Sequence, residues 1–148
     1  GRDCGDLSIY SGIACGAEIV ITKETGFKKE EVLKQVKHAQ SIGKRHLIVV
    51  VAENITNVFD LAKDIQENSN YEARATVLGY IQRGGTPSSF DRILASKMGV
   101  KAVELLRDGK SGLAVYTHSL TIGSCPINEA LNATDEVTDL YNYLEKLN

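Results

Sequence analysis

His46 to Ala52 (HLIVVVA), near the middle of the chain, constrains the fold more than any other stretch. A short unbroken run of β-branched and aliphatic side chains reads as a strand, and its continuity suits a parallel strand covered on both faces. The run is flanked by helix-periodic sequence. Lys28 to Ile42 sets Val32, Leu33, Val36, Ala39 and Ile42 close to one helical face, and Gly43 is placed to end that helix. Val58 to Gln66 reads as another helix, with Asn57 as its cap. Strands alternating with helices at this spacing predict right-handed crossovers. The expected fold class is α/β, a three-layer α/β/α arrangement on a mainly parallel sheet.

The remaining elements follow from the same signals. Asp6 can cap a short helix to about Ala14, with Leu7, Ile9, Ile13 and Ala14 as its apolar side. Glu18 to Thr22 (EIVIT) reads as a buried strand, and Ala73 to Leu78 (ARATVL) as a third. A glycine-rich turn runs from Gly79 to Pro87. Ser88 and Asp91 then have the spacing of a capping box at the start of a long helix. Its apolar side is expected at Phe90, Ile93, Leu94, Met98, Val103 and Leu106, with Gly109 and Gly112 at its exit. Leu113 to His118 suits a last strand, and Pro126 to Asn148 one or two short helices.

Composition narrows the function classes. The chain has 148 residues, 43% apolar and 24% charged, as in ordinary soluble domains, and 148 residues can enclose a core. A formal net charge of −2 leaves no basic footprint for nucleic acid. No apolar run approaches the ~20 residues of a membrane span. Cysteines at 4, 15 and 125 fit neither a disulfide framework nor a zinc site, so reduced thiols in the cytoplasm are expected. The chain opens on Gly1-Arg2-Asp3-Cys4, with neither an initiating Met nor an apolar leader. It is therefore expected to be a piece of a longer protein.

In open parallel sheets, ligands bind at the carboxyl ends of strands. That rule selects Glu53, directly after HLIVVVA, and Arg83-Gly84-Gly85, beyond the next strand. A carboxylate accepts from hydroxyls and a guanidinium donates in bidentate fashion to phosphate, so the pair suits a phosphorylated polyol. The glycines let backbone amides approach, and the helix opening at Ser88 adds a favourable dipole. Arg74 begins its strand and is expected at the opposite edge from Arg83. Lys44, Arg45 and His46 precede a strand as Glu18 precedes another, so parallel pairing would bring them together. A basic cluster with one carboxylate suits a nucleoside diphosphate and its Mg2+. Each residue taken alone is equally compatible with a solvated turn or strand end.

Three stretches together resemble the bacterial-type ATP-dependent 6-phosphofructokinases: residues 1–18, 43–55 and 74–99. The third is the most specific. The family pattern R-A-T-x-L-G-x-x-Q-R-G-G-x-P, then x-x-x-D-R-x-L-A, is met at Arg74, Ala75, Thr76, Leu78, Gly79, Gln82, Arg83, Gly84, Gly85, Pro87, Asp91, Arg92, Leu94 and Ala95. The likeness covers roughly residues 1–118. It implies phosphoryl transfer from MgATP to the 1-hydroxyl of fructose 6-phosphate, in a cytoplasmic homotetramer of glycolysis.

On that resemblance Glu53 would bind sugar hydroxyls and Arg83 would lie near the sugar and the transferring phosphate. Arg74 would reach a neighbouring subunit's 6-phosphate. Gly1 would line the sugar site, and Arg2 would face the nucleotide phosphates. Gly16, Glu18, Lys44 and His46 would form an allosteric site for an ADP- or GDP-type effector, with Glu18 near its Mg2+. Two positions depart from the family. Tyr80 stands where His is usual in the sugar-phosphate site, and Ile42 where a second basic residue often serves the effector. The family's Gly-Gly-Asp-Gly-Ser nucleotide loop and Thr-Ile-Asp-Asn-Asp segment, which holds the general base, do not occur in residues 1–148.

The resemblance thus implies a sugar-phosphate and effector lobe over about 1–85. The long helix and tail, 86–148, would pack on a nucleotide-binding lobe. No residue here is expected to be catalytic. A pyrophosphate-dependent phosphofructokinase piece and a stand-alone, non-catalytic sugar-phosphate or nucleotide sensor are the alternatives.

Overall fold

The central strands are short. In the computed structural model, which describes residues 4–118, 120–133 and 138–147, β1 (Ile19–Ile21) pairs in parallel with β2 (Val49–Val51). Partners are Ile19 with Val49, Val20 with Val50 and Ile21 with Val51. Side chains alternate across a strand, so this register sorts them into two sets. Ile19, Ile21, Val49 and Val51 pack with Val32 and Val36 of α2 (Lys29–Ser41) and Leu61 and Ile65 of α3 (Val58–Asn68). Val20 and Val50 pack with Ile9 and Ile13 of α1 (Asp6–Cys15) and Leu140, Tyr141 and Leu144 of α6 (Thr138–Leu147). The result is three layers, with α2 and α3 on one face and α1 and α6 on the other. Each fully buried aliphatic side chain contributes about 1.5–3 kcal/mol through the water it sheds. Close packing of α1 on β1 depends on Gly12, where an added Cβ would lie 2.4 Å from Val20 Cγ2.

Local signals explain most boundaries. Asn57 Oδ1 accepts from the amides of Phe59 and Asp60 and caps α3. Gly43 donates to the Gln40 carbonyl beyond the end of α2. The start of α1 differs from expectation. Its N-cap is Gly5, and Asp6 is the first helical residue, contributing charge near the helix dipole. Leu7 is exposed, and the buried side of α1 is Ser8, Ile9 and Gly12.

Two strand expectations need correction. The ladder of β2 holds three residues of HLIVVVA, and these are half-buried, because β2's outer edge faces a cleft. Residues 73–78 form no ladder, and 73–76 of them line that cleft. Ala73 packs against the first core, but Val77 and Leu78 are 65% and 55% exposed, so among the described residues that stretch lacks apolar cover.

The chain divides into two compact units, residues 1–77 with 136–148, and residues 78–135. In the second, a 3-10 turn, Gly79–Arg83, precedes α4 (Ser89–Arg107). The capping box is present: Ser88 Oγ accepts from the Asp91 amide, and Asp91 Oδ2 accepts from the Ser88 amide at 2.8 Å. β3 (Leu113–His118) then pairs antiparallel with β4 (Thr121–Pro126), followed by α5 (Ile127–Asn132). The second strand of that hairpin was not expected. Tyr116 lies opposite Gly123, and its ring covers the glycine. The expected apolar side of α4 is largely uncovered: Phe90, Ile93, Val103 and Leu106 are all more than half exposed, and Leu105 is the buried position.

Candidate functional site

β1 and β2 run parallel, so their amino ends lie together and their carboxyl ends lie together. At the amino ends the sequence expectation of a Glu18–Lys44 meeting is met. Lys44 Nζ is 3.4 Å from Glu18 Oε1, and the Ile48 amide donates to Glu18 Oε2 at 2.8 Å. The Glu18 amide in turn donates to the Ile48 carbonyl. Burial opposes the charged form of Glu18, but the backbone amides and the Lys44 ammonium outweigh it. The carboxyl is held below its ordinary pKa and stays ionised at neutral pH. Gly16 is the left-handed C-cap residue of α1, φ 70°, two residues before Glu18. His46 is exposed in the segment leading into β2.

Tyr71 was not singled out by sequence reading. Its hydroxyl donates to the Lys44 carbonyl at 2.6 Å and so fixes the segment carrying Lys44. The partners are 27 positions apart in sequence, so no local pattern could have revealed the bond.

Arg45, His46 and Arg74 line one cleft of about 590 Å³ between β2, α3 and residues 70–76. Val49, Val51 and Leu61 are among its apolar walls. Arg74 donates through Nη2 and Nε to Glu72 Oε1, at 2.6 and 3.2 Å. That contact lowers the Glu72 pKa and raises that of Arg74. Both side chains are exposed, so the pair is weak and readily exchanged for another anion.

The carboxyl ends form the opposite rim of the same unit. Glu53 is exposed in the turn directly after β2, beside Asn54, whose φ is 62°. Arg83 and Tyr80 belong to the second unit. The Arg83 guanidinium carbon sits 5.1 Å from the centre of the Tyr80 ring, a cation–π contact that orders the guanidinium. Gly84 follows with φ 84°. Ile42, the residue in place of a second cation, is exposed at the C-cap of α2. Gly1 and Arg2 lie outside the described residues.

Among the described residues, no three His, Cys, Asp or Glu side chains cluster. Glu18 is a single ionised carboxylate. That fits Mg2+ accompanying a nucleotide, because Mg2+ is usually held by one or two carboxylates together with phosphates and water. Among the described residues, no helix is long and apolar enough to cross a membrane.

The first unit is thus a layered α/β body with the Glu18–Lys44 pair at the amino ends of its parallel strands and Glu53 just after their carboxyl ends. The comparisons with known proteins give the family. The family profile described as Phosphofructokinase matches residues 1–106, and the chain belongs to that family. It is 44% identical over 150 aligned residues to the ATP-dependent 6-phosphofructokinase of Clostridium acetobutylicum, covering 99% of this chain and 47% of the relative. Against the Clostridioides difficile enzyme of the same name, identity is 48% over 131 residues, covering 88% and 41%. The chain thus spans about half the length of the curated relatives it matches. Among solved structures, the phosphofructokinase of Saccharomyces cerevisiae superposes with a TM-score of 0.76 at 30% identity, over 98% of this chain and 21% of that one. Pichia pastoris phosphofructokinase in the T-state gives 0.77 at 27%, over 99% and 17%.

Proposed function

We propose that this chain is the sugar-phosphate- and effector-binding part of an ATP-dependent 6-phosphofructokinase. That enzyme transfers a phosphoryl group from MgATP to the 1-hydroxyl of fructose 6-phosphate. The observation that carries the reading is 44–48% identity, over nearly the whole chain, to relatives bearing that name. Within it, Glu53 accepts hydrogen bonds from the sugar hydroxyls. Arg83, steadied by Tyr80, lies near the sugar and donates to the transferring phosphate. Arg74 exchanges Glu72 for the 6-phosphate bound by a neighbouring subunit of a homotetramer. Gly1 lines the sugar site, and Arg2 lies toward the nucleotide phosphates.

The second site takes a nucleoside diphosphate. Lys44 and His46 meet its phosphates, Glu18 meets its Mg2+, and Gly16 gives backbone room. Ile42 supplies no charge, so the effector is bound by fewer cations than in relatives with a base there. The parent enzyme works in the cytoplasm. The nucleotide loop and general base lie outside residues 1–148, so this chain by itself binds without turning over.

Calorimetric titration with fructose 6-phosphate, coupled to a turnover assay, tests the reading. Binding that falls tenfold or more in Glu53→Ala and in Arg83→Ala, with no turnover, is expected. Unchanged binding in both variants, or turnover by the wild-type chain, would overturn it.

A further inference from the structure

At the carboxyl end of β1 a chain of hydrogen bonds joins three distant segments. The Gly5 amide donates to Glu24 Oε1 at 3.0 Å. Glu24 Oε2 lies 3.5 Å from the Tyr141 hydroxyl, which lies 2.6 Å from Thr22 Oγ1. One assignment of protons that satisfies these contacts has Thr22 donating to Tyr141, Tyr141 donating to Glu24, and Gly5 donating to Glu24. Thr22 is fully buried and is braced by Thr25, whose Oγ1 accepts from the Thr22 amide at 3.1 Å. Gly5 is buried as well, and an added Cβ there would lie 2.5 Å from Thr22 Cβ. Gly5 is therefore pressed against the end of β1, and its amide is held there by one carboxylate.

The far end of this relay is α6. Tyr141 reaches Thr22 across 119 residues, while its neighbours Leu140 and Leu144 join the second core. Ile21 pairs with Val51, so the relay occupies the same rim of the sheet as Glu53.

We propose that Glu24 and Tyr141 are positioning residues. They latch Cys4 and Gly5 onto the rim that presents Glu53, and they make the order of those two residues depend on the docked C-terminal helix. The assignment of the rim to fructose 6-phosphate rests on the function proposed above; the latch itself does not.

Cys4 adjoins Gly5 and is a half-buried free thiol, so its alkylation rate reports local release. Pulse labelling with iodoacetamide, read by peptide mass spectrometry, would be run on wild type, Glu24→Ala, Glu24→Gln and Tyr141→Phe at unchanged far-ultraviolet circular dichroism. Cys15 and Cys125 serve as controls. Expected is a several-fold faster reaction of Cys4 alone in Glu24→Ala, a smaller rise in Tyr141→Phe, and near wild-type behaviour in Glu24→Gln, which keeps an acceptor oxygen. An unchanged Cys4 rate in the folded Tyr141→Phe and Glu24→Ala proteins would overturn the latch. So would an equal rise at all three thiols, which would mean general loosening. Adding fructose 6-phosphate separates the two readings. Failure to protect Cys4 counts against the sugar assignment, while the ligand-free rates judge the latch.

Discussion

The two units of this chain use similar side chains to different ends. In the first, Ile9, Val36, Leu61 and Ile65 are almost wholly buried, because helices cover both faces of a two-stranded sheet. In the second, a longer helix carries as many large apolar residues, yet Phe90, Ile93, Val100, Val103 and Leu106 are each more than half exposed. Helical periodicity marks which side of a helix is apolar. It does not say whether this chain holds the surface that covers it. The first unit closes its own core, and the second is held by Leu105, a hairpin and its caps.

The contrast is broken or sharpened by substitution. Ile9→Ala and Leu61→Ala should each destabilise the first unit by about 2–5 kcal/mol, through lost burial and the cavity left behind. Val103→Ala should stay within about 0.5 kcal/mol, since an exposed helical position loses little and gains helix propensity. Residue-resolved hydrogen exchange measures each unit separately. A large cost at Val103 would mean that its face is covered in solution. Next, Gly12→Ala should cost about 1–3 kcal/mol, because its Cβ overlaps Val20 and α1 must lift from β1. Its denaturation midpoint should fall, and a wild-type midpoint would mean the helix yields freely. Removing the caps acts alike in both units: Asn57→Ala and Ser88→Ala should each cost about 1 kcal/mol, fraying the first turn of α3 or α4.

The smallest effect is pH-dependent. The Glu18 pKa is depressed on folding, so its contribution to stability is complete above the ordinary value of 4.5. It is lost as pH falls through the lower folded value. Lys44→Met should weaken this contribution and leave that of the Ile48 amide. Denaturation midpoints of wild type and Lys44→Met should therefore differ most near neutrality and converge in acid. Parallel curves down to about pH 3 would remove Lys44 from the account.

Much of this was legible in the sequence, and the exceptions are informative. Asn57, the Ser88–Asp91 box and the β-branched runs act within a few residues of themselves, so local pattern suffices. The same logic brought Glu18 to Lys44, because two parallel strands must share an amino edge. ARATVL has the composition of a strand, but pairing needs cover as well as composition, and Val77 and Leu78 remain exposed. Thr121–Pro126 holds a glycine and a proline and no apolar alternation, so β4 is recruited only by its pairing with β3. Leu105 is buried although the apolar pattern of α4 pointed to Leu106. Tyr71 and Tyr141 bond backbone and side chains far away in the chain, and such contacts leave no local signature.

Under the proposed function, the amino edge of β1 and β2 takes a nucleoside diphosphate at the Glu18–Lys44 pair. Titration of the chain with ADP and Mg2+, in wild type and Lys44→Ala, tests it most directly. Saturable wild-type binding is expected, weakened tenfold or more in Lys44→Ala and weakened again without Mg2+. Equal affinity in the two proteins, whatever the metal, would contradict it.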